Sequence, residues 1–295
     1  MVKISVIGSG RVGSTAAFVI LERGLCDEMV LVDIALERCE GEALDIRHAL
    51  SAMKTRSKVL GTDDYSPTKD SDLIIITAGI PRKPGESRLD LSKKNIGITK
   101  EIVRDILKYN SDSLLMVVSN PVDVMTYVAQ TSSGFPKKKV FGLGTALDTI
   151  RLRSMICEEF GVKNEEFDAF VIGEHGDTMV PVFSKLNEER FEQERLDKVF
   201  KDIVSGGGDV IRMKGGTWFA PAVAIADVVE SIVKDQKRVI PLSAYSEEYG
   251  VYTGIPSIVS KEGIGAAELT YNDNERALFL RSVDTLKKEL SRLGL

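Results

Sequence analysis

The sequence predicts an α/β fold, with an N-terminal doubly wound parallel sheet followed by a C-terminal α+β domain. Three observations predict it. A strand, a glycine turn and a helix open the chain; short, wholly apolar runs then alternate with helical periodicity; and that alternation loosens after about residue 144. Strands buried on both faces of a parallel sheet read as unbroken apolar runs, as residues 29–32, 73–76 and 114–118 do within the strands read at 29–32, 73–77 and 114–119.

Residues 2–7 alternate β-branched apolar residues with short ones. Gly8-Ser9-Gly10-Arg11-Val12-Gly13 then opens a helical spacing that continues through Leu21 and Glu22. A second strand ends at Asp33, about 20 residues past the last glycine. This is the dinucleotide-binding arrangement of a Rossmann domain. Gly8 permits the tight turn, Gly10 lets backbone approach a pyrophosphate, and Gly13 lets the helix pack closely on the strand. The helix start, at Arg11 and Val12, faces the phosphates. Glycine turns between strand and helix are common, so the following strand and Asp33 give the motif its weight. Asp33 is placed to accept from the adenosine ribose hydroxyls, and its charge repels a 2′-phosphate. The next residues, Ile34 and Ala35, supply no arginine, so NAD is favoured over NADP.

Helical spacing over 36–50, a strand near 58–60 and a buried strand at 73–77 continue the alternation. After Ala78-Gly79 comes a loop, residues 80–88, with two prolines and the cations Arg82, Lys83 and Arg88; taken alone it is a solvated basic loop. A helix follows over 89–109. The strand at 114–119 ends at Asn120-Pro121, where Pro121 suits the first turn of the next helix. Residues 145–160 form a helix whose Asp148 and Arg151 share a face; in isolation that spacing describes a surface ion pair. The domain boundary falls here, dividing residues 1–144 from 145–295.

Residues 167–172 read as a strand leading into Gly173-Glu174-His175-Gly176-Asp177, so His175 is presented between glycines that let the backbone turn. A lone histidine of this kind is most often a structural one with a satisfied hydrogen bond. Residues 188–213 form a charged amphipathic helix, with a loop at Gly206-Gly207-Gly208 dividing it in two. Lys214-Gly215-Gly216-Thr217 starts another helix with a broad apolar stripe that includes Ala222, Ile225 and Val229. Strands near 239–244 and 257–260 and a charged helix over 273–293 complete the chain. His48, the second histidine, lies in none of these motifs and reads as a helix-surface histidine.

Composition narrows the function. A net charge of -5 supplies no basic field for nucleic acid or an anionic membrane. No apolar run approaches the roughly 20 residues of a membrane helix. The first residues form a strand, so export is not signalled. Cys26, Cys39 and Cys157 are odd in number and lack a CxxC pair, which suits reduced thiols in the cytoplasm and implies neither disulfides nor a metal site.

Taken together, GSGRVG at 8–13, TAGIPRKPGESRLDL at 77–91, SNPVD at 119–123, LDTIR at 147–151, GEHGD at 173–177 and KGGT at 214–217 resemble the NAD-dependent lactate/malate dehydrogenase family over essentially the whole chain. The resemblance implies that His175 exchanges the proton with the substrate oxygen and that Asp148 pairs with it and stabilises the imidazolium. It implies that Arg151 grips the substrate carboxylate in a two-point fork and that Arg88 polarises the carbonyl when its loop closes. Asn120 then orients substrate and nicotinamide, and Thr217 lines the pocket. Thr77, Ala78, Gly79, Asn95, Val118 and Asn120 join the glycine motif and Asp33 as cofactor-binding positions. A homo-oligomer, dimer or tetramer, is also implied.

Within that resemblance Arg82 bears on the substrate. The position three before the glycine of KPG resembles glutamine in lactate enzymes and arginine in malate enzymes, and here it is arginine. A guanidinium gains a charge-assisted pair with the second carboxylate of oxaloacetate, whereas the methyl of pyruvate leaves it desolvated and unpaired. A small dicarboxylic 2-hydroxy or 2-keto acid is therefore the expected substrate. GTALDT at 144–149 and GESRLDL at 85–91 look closer to lactate enzymes, which keeps L-lactate or a broader 2-hydroxy acid as the alternative. A third reading is a non-catalytic NAD-binding protein.

Overall fold

A computed structural model describes the backbone of residues 1–53, 55–80, 88–187, 189–268 and 270–295, and the side chains there except at 88 and 204–207. Six parallel strands form the first part of the sheet: β1 (Lys3–Ile7), β2 (Glu28–Val32), β3 (Lys58–Thr62), β4 (Leu73–Ile76), β5 (Leu114–Val117) and β6 (Val140–Gly142). They lie in the order β3-β2-β1-β4-β5-β6. The order reverses between β1 and β4, so the C-terminal ends of these two strands frame a crevice, which is where open α/β sheets bind ligands. Every residue of β4 and β5 is buried, as their unbroken apolar runs require.

Helices cover both faces. On one face α1 (Arg11–Glu22), α2 (Leu36–Met53) and α7 (Phe219–Val233) bury Ala16, Ile20, Cys39, Ala43, Ile225 and Val229 against Met29, Leu31 and Met116. On the other, α3 (Arg88–Ile106), α4 (Val122–Ser133) and α8 (Asp273–Leu293) bury Val103, Ile106, Val124, Met125, Phe279 and Val283 against Ile74, Ile76 and Val117. A third cluster, around Leu152, Ile156, Phe191, Val199 and Ile203, joins α5 (Thr145–Phe160) to α6 (Gln193–Lys214).

The sheet continues past β6: β9 (Arg238–Ser246), β10 (Val251–Ser260) and β11 (Gly263–Ala266) extend it antiparallel, with Gly142 pairing Ser243. β9 meets the β6 edge at this one pair and so covers the end of it nearest the site. The expected division of the helix at Gly206-Gly207-Gly208 is corrected: α6 starts at Gln193 and runs unbroken through these glycines to Lys214. Burial of Leu196, Val199 and Ile203 outweighs a glycine penalty of about 1 kcal/mol per residue relative to alanine. Pro121 precedes α4 as its extended cap residue, not within the first turn, and follows a cis peptide bond from Asn120. Finally, β7 (Phe170–Ile172) pairs with a short strand, β8 (Val180–Val182), whose Pro181 the sequence reading did not place in a strand. Among the described residues β8 pairs only with β7, so Pro181 lies in an edge strand, where the lack of an N–H is tolerated. Among the described residues no helix is long and apolar enough to cross a membrane.

Candidate active site

The crevice between β1 and β4 is built by backbone. Gly8 has φ +102°, and a Cβ on Gly13 would sit 1.9 Å from the Gly8 carbonyl, so helix α1 reaches the strand only because both are glycine. The Thr77 hydroxyl, at the end of β4, donates to that same carbonyl at 2.8 Å and fixes the turn. Gly10 caps α1 with no side-chain hydrogen bond and no acidic residue in the first turn, leaving N–H groups directed at an anion. Among the described residues only the Arg38 guanidinium comes within 4 Å of a would-be Cβ on Gly10, at 3.6 Å, so the approach is open.

Asp33, at the end of β2, accepts from the Ser9 N–H at 2.7 Å, the Ser9 hydroxyl at 3.2 Å and the Ala35 N–H at 3.0 Å. A carboxylate has about four acceptor positions, so one is left for a ribose hydroxyl. Arg38, one turn into α2, donates to the Ser9 carbonyl at 3.0 Å. The sequence reading looked for a cation only beside Asp33 and did not see one returning from the helix. Asn95 is buried and its amide braces neighbouring backbone: it accepts from the Ile80 N–H at 2.9 Å and donates to the Asn120 carbonyl at 2.8 Å.

Across the crevice stands His175. Its Nδ1–H donates to Asp148 Oδ2 at 2.5 Å, while Asp148 Oδ1 accepts from Arg151 Nη1 at 3.3 Å. Asp148 is fully buried, on the first turn of α5, and one carboxylate thus fixes both the imidazole and the guanidinium. Burial disfavours the imidazolium. The charge and hydrogen bond of Asp148, with help from Asp123 and against Arg151, more than offset this and hold the His175 pKa above its ordinary value. The bond also fixes the tautomer, leaving Nε2 as the atom that can exchange a proton with a ligand.

The loop carrying His175 is pinned from three sides. Gly173 and Gly254 of β10 exchange both backbone hydrogen bonds, at 2.9 and 2.8 Å. Gly173 has φ +85°, and a Cβ there would meet the Ser282 hydroxyl of α8 at 2.6 Å. Ser282 in turn accepts from the Glu174 N–H at 2.7 Å, and the Thr178 hydroxyl bonds the Glu174 carboxylate. From α4, Asp123 accepts from the His175 backbone N–H at 2.9 Å. Sequence reasoning missed Ser282, Glu174 and Asp123 in this role, although Asp123 lies inside SNPVD and Glu174 inside GEHGD.

A cleft of about 230 Å³ brings His175, Arg151, Asn120 and Thr217 together with Val12 and Val118 from the dinucleotide side. Ile211 of α6 and Pro221 of α7 complete its apolar wall, and neither was assigned there from the sequence. A larger cavity, about 390 Å³, lies by Arg153, Asp168, Lys185 and Glu268 and is lined by none of the expected site residues. Arg82 lies outside the described residues, and of Arg88 only the backbone, at the start of α3, is described. The arrangement can hold an anionic ligand on Arg151 and exchange a proton with it through His175.

Two family models match in succession: lactate/malate dehydrogenase, NAD binding domain, over residues 2–142, and lactate/malate dehydrogenase, alpha/beta C-terminal domain, over residues 145–293. The chain belongs to the lactate/malate dehydrogenase family. It is 38% identical over 306 residues to L-lactate dehydrogenase 2 of Bacillus cereus, covering 98% of this chain and 97% of that one. It is 40% identical over 306 residues to a malate dehydrogenase of Anoxybacillus flavithermus, covering 99% and 98%. Among solved structures it resembles malate dehydrogenase from Archaeoglobus fulgidus in complex with NADH (TM-score 0.93, 39% identity, 99% of this chain and 100% of that one). It also resembles the minor L-lactate dehydrogenase of Enterococcus mundtii (TM-score 0.94, 32% identity, 99% and 98%).

Members of this family are NAD-dependent dehydrogenases acting on 2-hydroxy acids, and NAD is the cofactor here. The residues fit it: Gly10 leaves the pyrophosphate path open, α1 presents free N–H groups, and Asp33 keeps an acceptor for the ribose. When bound, NAD supplies hydride transfer.

Proposed function

We propose that this chain is a malate dehydrogenase, interconverting (S)-malate and oxaloacetate. The observation that carries the choice of substrate is the arginine at position 82, three residues before Gly85 in the sequence. The proton step is supported by the His175–Asp148 pair. In reduction, protonated His175 gives its Nε2 proton to the keto oxygen, and the carboxylate of Asp148 stabilises the imidazolium until then. In oxidation, neutral His175 takes the alcohol proton. Arg151 anchors the 1-carboxylate, Arg88 polarises the carbonyl, and Arg82 pairs with the second carboxylate. Asn120 and Thr217 fix the remaining wall, so the substrate carbon faces the nicotinamide. Arg11, Val12, Thr77, Ala78, Gly79, Asn95 and Val118 serve the cofactor, some by contact and Thr77 and Asn95 by bracing. We further propose a cytoplasmic homo-oligomer, dimer or tetramer.

L-lactate is the second reading, favoured by the likeness of residues 144–149 and 85–91 to lactate enzymes. Loss of NADH absorbance with oxaloacetate and with pyruvate at matched concentrations separates the two. A strong preference for oxaloacetate, reversed toward pyruvate in Arg82→Gln, supports the malate reading. A preference for pyruvate, or an unchanged ratio in Arg82→Gln, rejects it.

A further inference from the structure

Asp123 is a buried carboxylate without an assigned role. It sits in the first turn of α4, and its side chain reaches two other elements. Oδ2 accepts from the His175 backbone N–H at 2.9 Å, and Oδ1 accepts from the Ser243 hydroxyl of β9 at 2.5 Å. A carboxylate that is only 4% exposed would be expected to find a cation, yet these two partners are neutral. The free N–H groups of the α4 start ease the burial of its charge.

We propose that Asp123 is a positioning residue for proton transfer, holding the His175 backbone in place and adding a second fixed negative charge beside the imidazole. Asp148 orients the ring from its Nδ1 side, and Asp123 fixes the main chain from which that ring projects. Around His175 the charged groups with a described influence are Asp148 and Arg151 from α5 and Asp123 from α4, with Glu174 adjacent and acting on Asp123. Asp123 favours the imidazolium, so removing its charge lowers the pH at which His175 gives up its proton. Burial pushes the Asp123 carboxyl up to about 6, against the hydrogen bonds from Ser243 and the His175 N–H. Its charge is therefore present in the neutral and alkaline range, where the exchange takes place, and fades in acid.

The inference rests on the proposed role of His175, and the test separates the two. In Asp123→Asn the amide oxygen can still accept from the His175 N–H while the charge is gone. The pH dependence of kcat/KM for oxaloacetate or pyruvate reduction, together with the histidine ring resonances, reads the result; with two histidines in the chain, His175→Asn assigns them. We expect Asp123→Asn to move the His175 midpoint down by about half a unit or more while NADH binding is retained. Asp123→Ala, which also loses the backbone anchor, loses a further tenfold or so in kcat. Ser243→Ala keeps the carboxylate but weakens its hold on charge, so it moves the midpoint in the same direction, and it decides the matter if Asp123→Asn does not fold. An unmoved midpoint in the folded variants overturns the inference. Turnover by His175→Asn overturns instead the reading of the site.

Discussion

His175 Nδ1 lies 2.5 Å from Asp148 Oδ2, and the carboxylate that accepts this bond has no exposed side-chain surface. The pair gives the imidazole one tautomer and one orientation. Replacing His175 with Asn removes the proton carrier, and kcat is expected to fall by about a thousandfold with NADH binding retained, as fluorescence titration would show. Asp148→Asn keeps the size of the side chain but removes the charge that raises the His175 pKa. The raised value keeps the imidazolium present to higher pH, so reduction persists further into alkali than an ordinary histidine allows. In Asp148→Asn that alkaline limit moves to lower pH; a profile that does not move contradicts the pairing.

Stability should also record the buried carboxylate of α4. The folded Asp123 carboxyl is raised from 3.8 to about 6, so between those values the folded state holds more proton than the unfolded chain. Its contribution therefore falls as pH rises from about 4 to about 6, by on the order of 3 kcal/mol. His175, also raised, contributes stability below its unfolded value near 6.5 that is lost as pH rises through its folded value. Melting temperatures across pH 4 to 7 should show Asp123→Asn gaining on the parent chain as pH rises. A constant difference would contradict this assignment.

Gly173 is a position where one methyl group has two costs. Its φ of +85° is poorly tolerated by any residue with a Cβ, and that atom would press on the Ser282 hydroxyl. Gly173→Ala is expected to lose about 2 kcal/mol in denaturant unfolding and to lower kcat more than it raises KM for NADH. Full stability in this variant would mean that the loop and α8 are not held in the register described.

Cofactor choice rests on Asp33 and on the cation above it. Asp33→Ser removes the negative charge while the Arg38 guanidinium stays at the Ser9 carbonyl, within reach of the same crevice. The variant should gain about tenfold in kcat/KM for NADPH relative to NADH, and Arg38→Ala in that background should reverse most of the gain. The lost bonds to Ser9 and Ala35 predict some loss of NADH affinity as well. No gain with NADPH removes Asp33 as the discriminator.

What could be read from the sequence was what is local in it. Gly8, Gly10, Gly13 and Asp33 form a turn and two flanking elements within one short segment, and their spacing alone placed the crevice. Asp148 and Arg151 share a helix face. The residues that hold His175 are different in kind: Asp123, Ser282 and Gly254 come from α4, α8 and β10, and nothing in their neighbourhoods marks them as partners of one loop. Ser243 reaches Asp123 only because β9 joins the edge of β6. The unbroken α6 was hidden for the opposite reason: local glycines argued for a loop, and distant packing decided for a helix.

The pairing of Gly142 with Ser243 bears on how the chain is made. β6 is translated well before β9, so the pair can form only after α5, α6 and α7 have been made. A fragment ending at residue 144 would therefore carry an open strand edge there, the kind of edge to which a neighbouring chain can add a strand.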